Sequence, residues 1–343
     1  MTEADRKQIA LWLFVCCALI FSMVVLGGVT RLTGSGLSMV DWKPVTGFIP
    51  PLDERAWQKE FSSYQQSPEY QKINIRMDLE GFKKIYWFEF AHRVLGRTIG
   101  VVFLLPFLYF LVRRKIDKPL VPKLVIMFVL GGLQGLLGWY MVKSGLVDNP
   151  HVSQYRLTAH LVAAVAIYSY IFWVALGLLY EKSNPSPSET NPSLNRFGMI
   201  VAVLVFITLV SGGFVAGTKA GHAYNTFPLM GGQWIPEGIM MLEPAYRNFF
   251  DNIATVQFDH RVLAVITFLT ISGFWLYTLR GNSSRHVRLG THLLIVMAVL
   301  QVAMGIGTLL LHVPVTLAAA HQAGALMLFT IVLFVNHALR RAG

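Results

Sequence analysis

The sequence predicts an all-α integral membrane protein in which eight transmembrane helices form two tandem, parallel-repeat four-helix bundles. Three observations predict it. First, 54% of the 343 residues are hydrophobic and only 14% are charged, against about 25% charged in soluble proteins; mean hydropathy is +0.53. Second, eight stretches reach the roughly 20 apolar residues that a spanning helix needs. Third, landmarks in the first four stretches recur in the same order in the last four. The composition excludes a soluble globular enzyme. It also excludes a disordered chain, which requires low hydrophobicity.

The first span covers 9–30. It is too long for the apolar core of a signal peptide, and no small-residue cleavage site follows it, so it is expected to be retained. Glu3 and Asp5 precede it, whereas transit peptides are poor in acids. Cys16 and Cys17 are neighbours inside it; they form no CxxC motif and are expected to be buried small residues. The next three spans cover 86–112, 123–142 and 157–180, and the last four cover 197–217, 257–279, 290–312 and 317–339. Between the two groups lies Ser183-Asn184-Pro185-Ser186-Pro187-Ser188, polar and Pro-rich, the clearest linker in the chain. It divides an N-terminal bundle (1–182) from a C-terminal bundle (197–343), with 183–196 as a cytoplasmic linker.

Eight spans put both termini on one side. The loops of that side are short and basic, carrying Arg6, Lys7, Arg113, Arg114, Lys115, Arg280, Arg285, Arg288 and Arg340 among others. The opposite loops, 31–85, 143–156 and 218–256, are longer and much sparser in Lys and Arg. The positive-inside rule therefore places both termini in the cytoplasm. Much of the net charge of +11 is then anchoring charge rather than a nucleic-acid signal.

The repeat is carried by four landmarks. Phe90-Ala91-His92-Arg93-Val94-Leu95 opens span two, and Phe258-Asp259-His260-Arg261-Val262-Leu263 opens span six. Thr158-Ala159-His160-Leu161 opens span four, and Ala319-Ala320-His321-Gln322 opens span eight. Gln134 of span three answers to Gln301 of span seven, and Gly27-Gly28 answers to Gly212-Gly213. A unit of four helices is even, so the second copy keeps the orientation of the first, which makes the repeat parallel.

His92, His160, His260 and His321 all stand where spans start on the outer side, two per bundle. A single membrane histidine is often a packing residue, but four at repeated positions point to function, because polar groups at that depth are costly. Two imidazoles make an incomplete zinc or copper site and a complete axial set for haem. Arg93 and Arg261 directly follow two of these histidines. They sit on the side that the charge rule depletes and in first turns, where the helix dipole disfavours cations. Haem propionates would compensate them, with Arg97 close by; a snorkelling arginine is the plainer account. The expectation is one haem per bundle. The halves differ at one position. Glu89 lies on the face of His92, and its counterpart is Gln257. A carboxylate there takes protons or stabilises positive charge, which makes the first bundle the reacting centre, unless Glu89 only pairs with an arginine or caps a helix. The outer loops, with Thr33-Gly34-Ser35-Gly36-Leu37-Ser38 and Ala220-Gly221-His222-Ala223-Tyr224-Asn225, suit the covering of a ligand's edge.

Together, Glu89-Phe90-Ala91-His92-Arg93, Phe258-Asp259-His260-Arg261-Val262-Leu263, the histidines of spans four and eight, and the loop Asn225-Thr226-Phe227-Pro228-Leu229-Met230 resemble the haem A synthase family over nearly the whole chain. The loop Gly34-Ser35-Gly36-Leu37-Ser38-Met39 with Asp41-Trp42-Lys43-Pro44 is most similar to its alphaproteobacterial and mitochondrial branch. The resemblance implies an oxidoreductase that converts the C8 methyl of haem O to a formyl, giving haem A for cytochrome oxidase. It implies substrate haem O between His92 and His160 with Arg93, a haem b cofactor on His260 and His321 with Arg261, and a catalytic Glu89. All four histidines would be axial ligands of haem iron. It further implies a bacterial inner-membrane location among membrane lipid, with haem O synthase and cytochrome oxidase assembly factors as partners and no nucleic acid. Some members carry a cysteine pair in the first outer loop; this chain has none there. Two other classes stay open: a dihaem b-type cytochrome that only transfers electrons, and a haem-handling transporter or chaperone.

Overall fold

The computed structural model describes residues 1–42, 47–146, 150–180, 192–281 and 283–342. The fold is helical, with α1 (Glu3–Leu32), α2 (Glu54–Gln65), α3 (Pro68–Lys72), α4 (Leu79–Val112), α5 (Val121–Gly145), α6 (Gln154–Leu179), α7 (Pro192–Thr218), α8 (Asn248–Asp251), α9 (Ile253–Arg280), α10 (Arg285–Leu310) and α11 (Val315–Ala342). Eight of these, all but α2, α3 and α8, are long and apolar enough to cross a membrane, and the chain is a multi-pass membrane protein. Leu105, Leu136 and Leu269 stay exposed on them, as lipid-facing side chains do when the solvent is itself apolar. Helix starts are chemically marked. Thr2 and Asp5 form a capping box, and Asp53, Ser67, Asp78, Asn252 and Ser284 accept N-terminal backbone N–H groups.

Two compact units, Met1–Ile171 and Phe172–Gly343, divide the chain. The boundary falls inside α6, upstream of the linker expected at 183–196, of which 183–191 lie outside the described residues. In the first unit α1 packs on α4, with Trp12 Nε1 donating to Val102 O at 2.8 Å and its ring 5.1 Å from Phe103. α5 packs on α4. α6 meets α1 where Cys17 Sγ approaches Tyr168 O at 4.0 Å. Cys16 and Cys17 are both free and buried, as expected. At one end of this unit the Met1 ammonium pairs with Asp117 at 2.8 Å, and Lys115 lies 3.5 Å from Asp5. The N-terminus and the α4–α5 loop therefore share a side.

The second unit is a ring in which α7 packs on α9, α9 on α10, α10 on α11 and α11 on α7. Among the described residues, α9 and α11 make no extensive backbone contact; they face each other across the diagonal.

The structure corrects one expectation. α4 starts at Leu79 rather than at 86, and α9 starts at Ile253. His92 and Arg93 thus stand about three and a half turns into their helix, and His260 and Arg261 about two turns into theirs. The helix dipole acts only within the first turn, so it does not bear on either arginine. Glu80, Lys83 and Lys84 had hidden the first turns of α4 from hydropathy. Those turns are nonetheless helical because Phe82 and Tyr86 are buried against Trp57, Phe61 and Tyr64 of α2, which forms with α3 an aromatic cap. The outer loop 31–85 is therefore largely folded.

Candidate functional site

Each paired histidine rests on a glycine of a neighbouring helix. A Cβ on Gly27 of α1 would stand 3.0 Å from His92 Nε2, and one on Gly212 of α7 would stand 3.3 Å from His260 Cε1. A Cβ on Gly138 of α5 would stand 3.0 Å from His160 Cε1, and one on Gly305 of α10 would stand 2.9 Å from His321 Cε1. Only glycine lets the rings lie this close to the helix backbone. Glutamines fix the histidine-bearing turns: Gln134 Nε2 donates to His160 O at 2.8 Å, and Gln301 Nε2 donates to His321 O at 2.9 Å. Gln134 Nε2 also lies 3.1 Å from His160 Nδ1. The two units thus make the same contacts with equivalent residues.

Ser211 Oγ lies 2.7 Å from Thr208 O and 2.8 Å from His260 Nδ1. With the hydroxyl donating to Thr208 O, Oγ accepts from Nδ1 and Nε2 is the free ring nitrogen, the arrangement of a metal-ligating imidazole. His321 Nδ1 is buried beside the Gln301 backbone without a well-formed hydrogen bond among the described residues. Among the described residues no cluster of three or more His, Cys, Asp or Glu side chains gathers. The imidazoles therefore offer no cage for a bare ion. Two imidazoles per unit, rather than three or four ligands, are the axial set of an iron macrocycle.

The arginines clasp the outer loops. Arg93 donates to Asp41 O at 2.9 Å, Met39 O at 2.7 Å and Glu89 Oε1 at 2.6 Å, and its guanidinium lies 5.7 Å from the Trp42 ring. Glu89 is 3% exposed. Its other oxygen accepts from Ser38 Oγ at 2.7 Å and Met39 N at 2.8 Å. The anion beside Arg93 is thus a residue of the chain itself. Arg97 lies over the Phe48 ring at 5.5 Å. In the second unit Arg261 donates to Tyr224 O and Thr226 O, both at 3.0 Å. Gln257, 3.5 Å from Arg261, donates to Tyr224 O at 3.2 Å. The clasp is repeated without a carboxylate. Asn225 ties the same loop to α10 through Leu309 O at 2.9 Å.

Sequence reasoning had marked the four histidines, both arginines and Glu89. It had missed Ser38, Ser211 and the backbone bonds of Gln134 and Gln301. His222 is exposed on a short turn, its backbone N–H donating to Lys219 O at 3.1 Å. Of the unpaired histidines, His292 accepts from Trp275 Nε1 at 3.0 Å and His337 meets Trp173 edge-on at 4.9 Å, both packing roles.

Comparison with known proteins agrees in length and kind. The chain is similar to "Heme A synthase" of Nitrosospira multiformis, 58% identical over 98% of this chain and 95% of that one. It is 49% identical to "Heme A synthase COX15" of Arabidopsis thaliana, over 98% of this chain and 75% of the relative. It is 45% identical to "Heme A synthase" of Parvibaculum lavamentivorans, over 99% and 96%. The family model described as cytochrome oxidase assembly protein, COX15-CtaA, matches residues 10–333. With eight spanning helices and near-complete alignment to these relatives, the chain belongs to the COX15-CtaA family of cytochrome oxidase assembly proteins.

Proposed function

We propose that the chain is an oxidoreductase that converts the C8 methyl of haem O to a formyl, yielding haem A for cytochrome oxidase. One observation carries the reading: two matched histidine–arginine frames differ by a single carboxylate, Glu89 against Gln257. The relatives' name, Heme A synthase, supports the same product.

In this reading His92 and His160 hold substrate haem O in the N-terminal bundle, and His260 and His321 hold a resident haem b in the C-terminal bundle. The matched glycine and glutamine contacts support a tandem parallel repeat, with bundles at 1–182 and 197–343. A bound haem b supplies a one-electron redox centre. The chain supplies position and proton handling. Gln134 and Ser211 orient the imidazoles of His160 and His260. Arg93 and Arg261 hold the outer loops down over the two sites, which limits the access of water. Turning a methyl into a formyl exchanges two hydrogens for one oxygen in a four-electron oxidation; with water as the oxygen source and an external electron acceptor it releases four protons, and Glu89 is the carboxylate one turn from His92. Three donors hold it in place, where a carboxylate accepts a proton or faces developing positive charge. The matched clasp of the second unit has an amide there and handles no proton, as befits an electron-transfer site. The basic loops favour cytoplasmic termini in a bacterial inner membrane. Haem O synthase is the partner that supplies the substrate.

Pigment analysis tests this. The chain, expressed beside a haem O synthase in cells that make no haem A, is expected to yield haem A on extraction. Haem O and haem B alone, from folded and haem-loaded protein, would leave only the electron-transfer cytochrome.

A further inference from the structure

At the arginine-rich end of the second unit, α7 and α11 are pinned together by Asn336. Its Nδ2 donates to Gly198 O and Val332 O, both at 2.9 Å. Gly198 permits the approach, since a Cβ there would meet Leu339 Cδ1 at 2.8 Å. Beside this pin the helices leave a cavity of about 300 Å³, lined by Asn195, Arg196 and Met199 of α7 and by Asn336, Leu339 and Arg340 of α11. Asn336 and Leu339 are buried, whereas Arg196 and Arg340 are exposed. The cavity thus has a buried base and cationic walls.

Among the described residues those walls lack a counter-charge: no carboxylate pairs with Arg196 or Arg340. Residues 192–236 and 260–343 contain no Asp or Glu at all; Glu181 and Glu189, just before and within the linker, lie outside the described residues. Arg340 is oriented over the Trp173 ring at 5.3 Å, an aromatic suited to the membrane–water boundary. A snorkelling side chain would explain one arginine at a helix end. Two guanidiniums from different helices, lining one cavity with an asparagine amide, form a recognition set for a phosphodiester. Met199 and Leu339 add apolar surface that a free inorganic anion would leave uncovered.

We propose that this cavity seats the headgroup of one anionic phospholipid, with Arg196 and Arg340 on its phosphodiester and Met199 and Leu339 against the first methylenes of its acyl chains. The seat is independent of the haem reading.

Native mass spectrometry of the full chain, equilibrated in nanodiscs of phosphatidylglycerol or phosphatidylethanolamine, tests it. One phosphatidylglycerol per chain is expected to stay bound while phosphatidylethanolamine is lost. The variant R196Q/R340Q should weaken that retention about thirtyfold, at roughly fivefold per basic contact. R280Q/R288Q, on the same basic side but outside the cavity, should leave it unchanged. Equal retention of the two lipids, or an equal loss in R280Q/R288Q, would overturn the proposal in favour of general charge attraction. Complete release of the lipid by millimolar inorganic phosphate would overturn it in favour of a free-anion site. Should the double variant fail to fold, R196Q and R340Q singly are each expected to lose about fivefold, and no loss in either would sink the proposal.

Discussion

Glu89 and Gln257 occupy one structural position in two chemical states, so the second unit is a control built into the chain. Gln257 and Arg261 hold their loop without a carboxylate, which indicates that Glu89→Gln will fold and keep its haem. Its haem A yield is expected to fall by about a hundredfold or more, the scale of a lost proton-transfer group. Haem extraction against an unchanged Soret band measures both, and full haem A production by the variant would remove Glu89 from the chemistry. Glycines make a second test within α5. Gly138→Ala puts a methyl 3.0 Å from His160 Cε1, whereas the same change at Gly131 meets nothing within 4 Å. Gly138→Ala should cost about 1–3 kcal/mol by overpacking and shift the low-spin haem signal in electron paramagnetic resonance; Gly131→Ala should do neither. The histidines and Glu89 were legible in the sequence because polar side chains are rare in apolar spans. Ser211 and Ser38 were not, nor was the bond that Gln134 makes to His160 O. Serines and glutamines are common at helix surfaces, and only the approach of a second helix gives them a partner.

Helices differ in how openly the sequence announces them. The eight spans were readable because hydropathy over some 20 residues has few other causes. α2 and α3 were not, since short amphipathic helices in a polar loop carry a weak signal. The early start of α4 was masked by its own charges. The aromatic cap they build holds a titratable group. Glu69 of α3 is 7% exposed and accepts from Tyr64 Oη at 3.1 Å. Burial pushes its carboxyl up from 4.5 to about 7; the Tyr64 hydrogen bond pulls it back and the charge of Glu89 adds to the rise. The folded cap therefore holds this proton more tightly than the unfolded chain does. Its contribution to stability is complete below about pH 4.5 and is lost as pH rises through about 7. The melting temperature of the native chain should decline across that window, while Glu69→Gln should stay flatter. Parallel profiles for the two proteins would refute the assignment.

At the scale of the whole molecule, the order of landmarks along the chain had indicated a duplicated four-helix unit. The matched contacts at Gly138 and Gly305, and at Gln134 and Gln301, give that pattern a physical basis. The diagonal opposition of α9 and α11 was beyond the reach of periodicity, which reports the faces of a helix but not its neighbours. A water-soluble domain is finished when its own side chains have filled its interior. On the haem reading, the interior of these bundles is completed by a pigment made elsewhere. On that reading the ribosome delivers the polypeptide but not the finished interior, and the accumulation of mature protein follows the cell's porphyrin supply as well as translation.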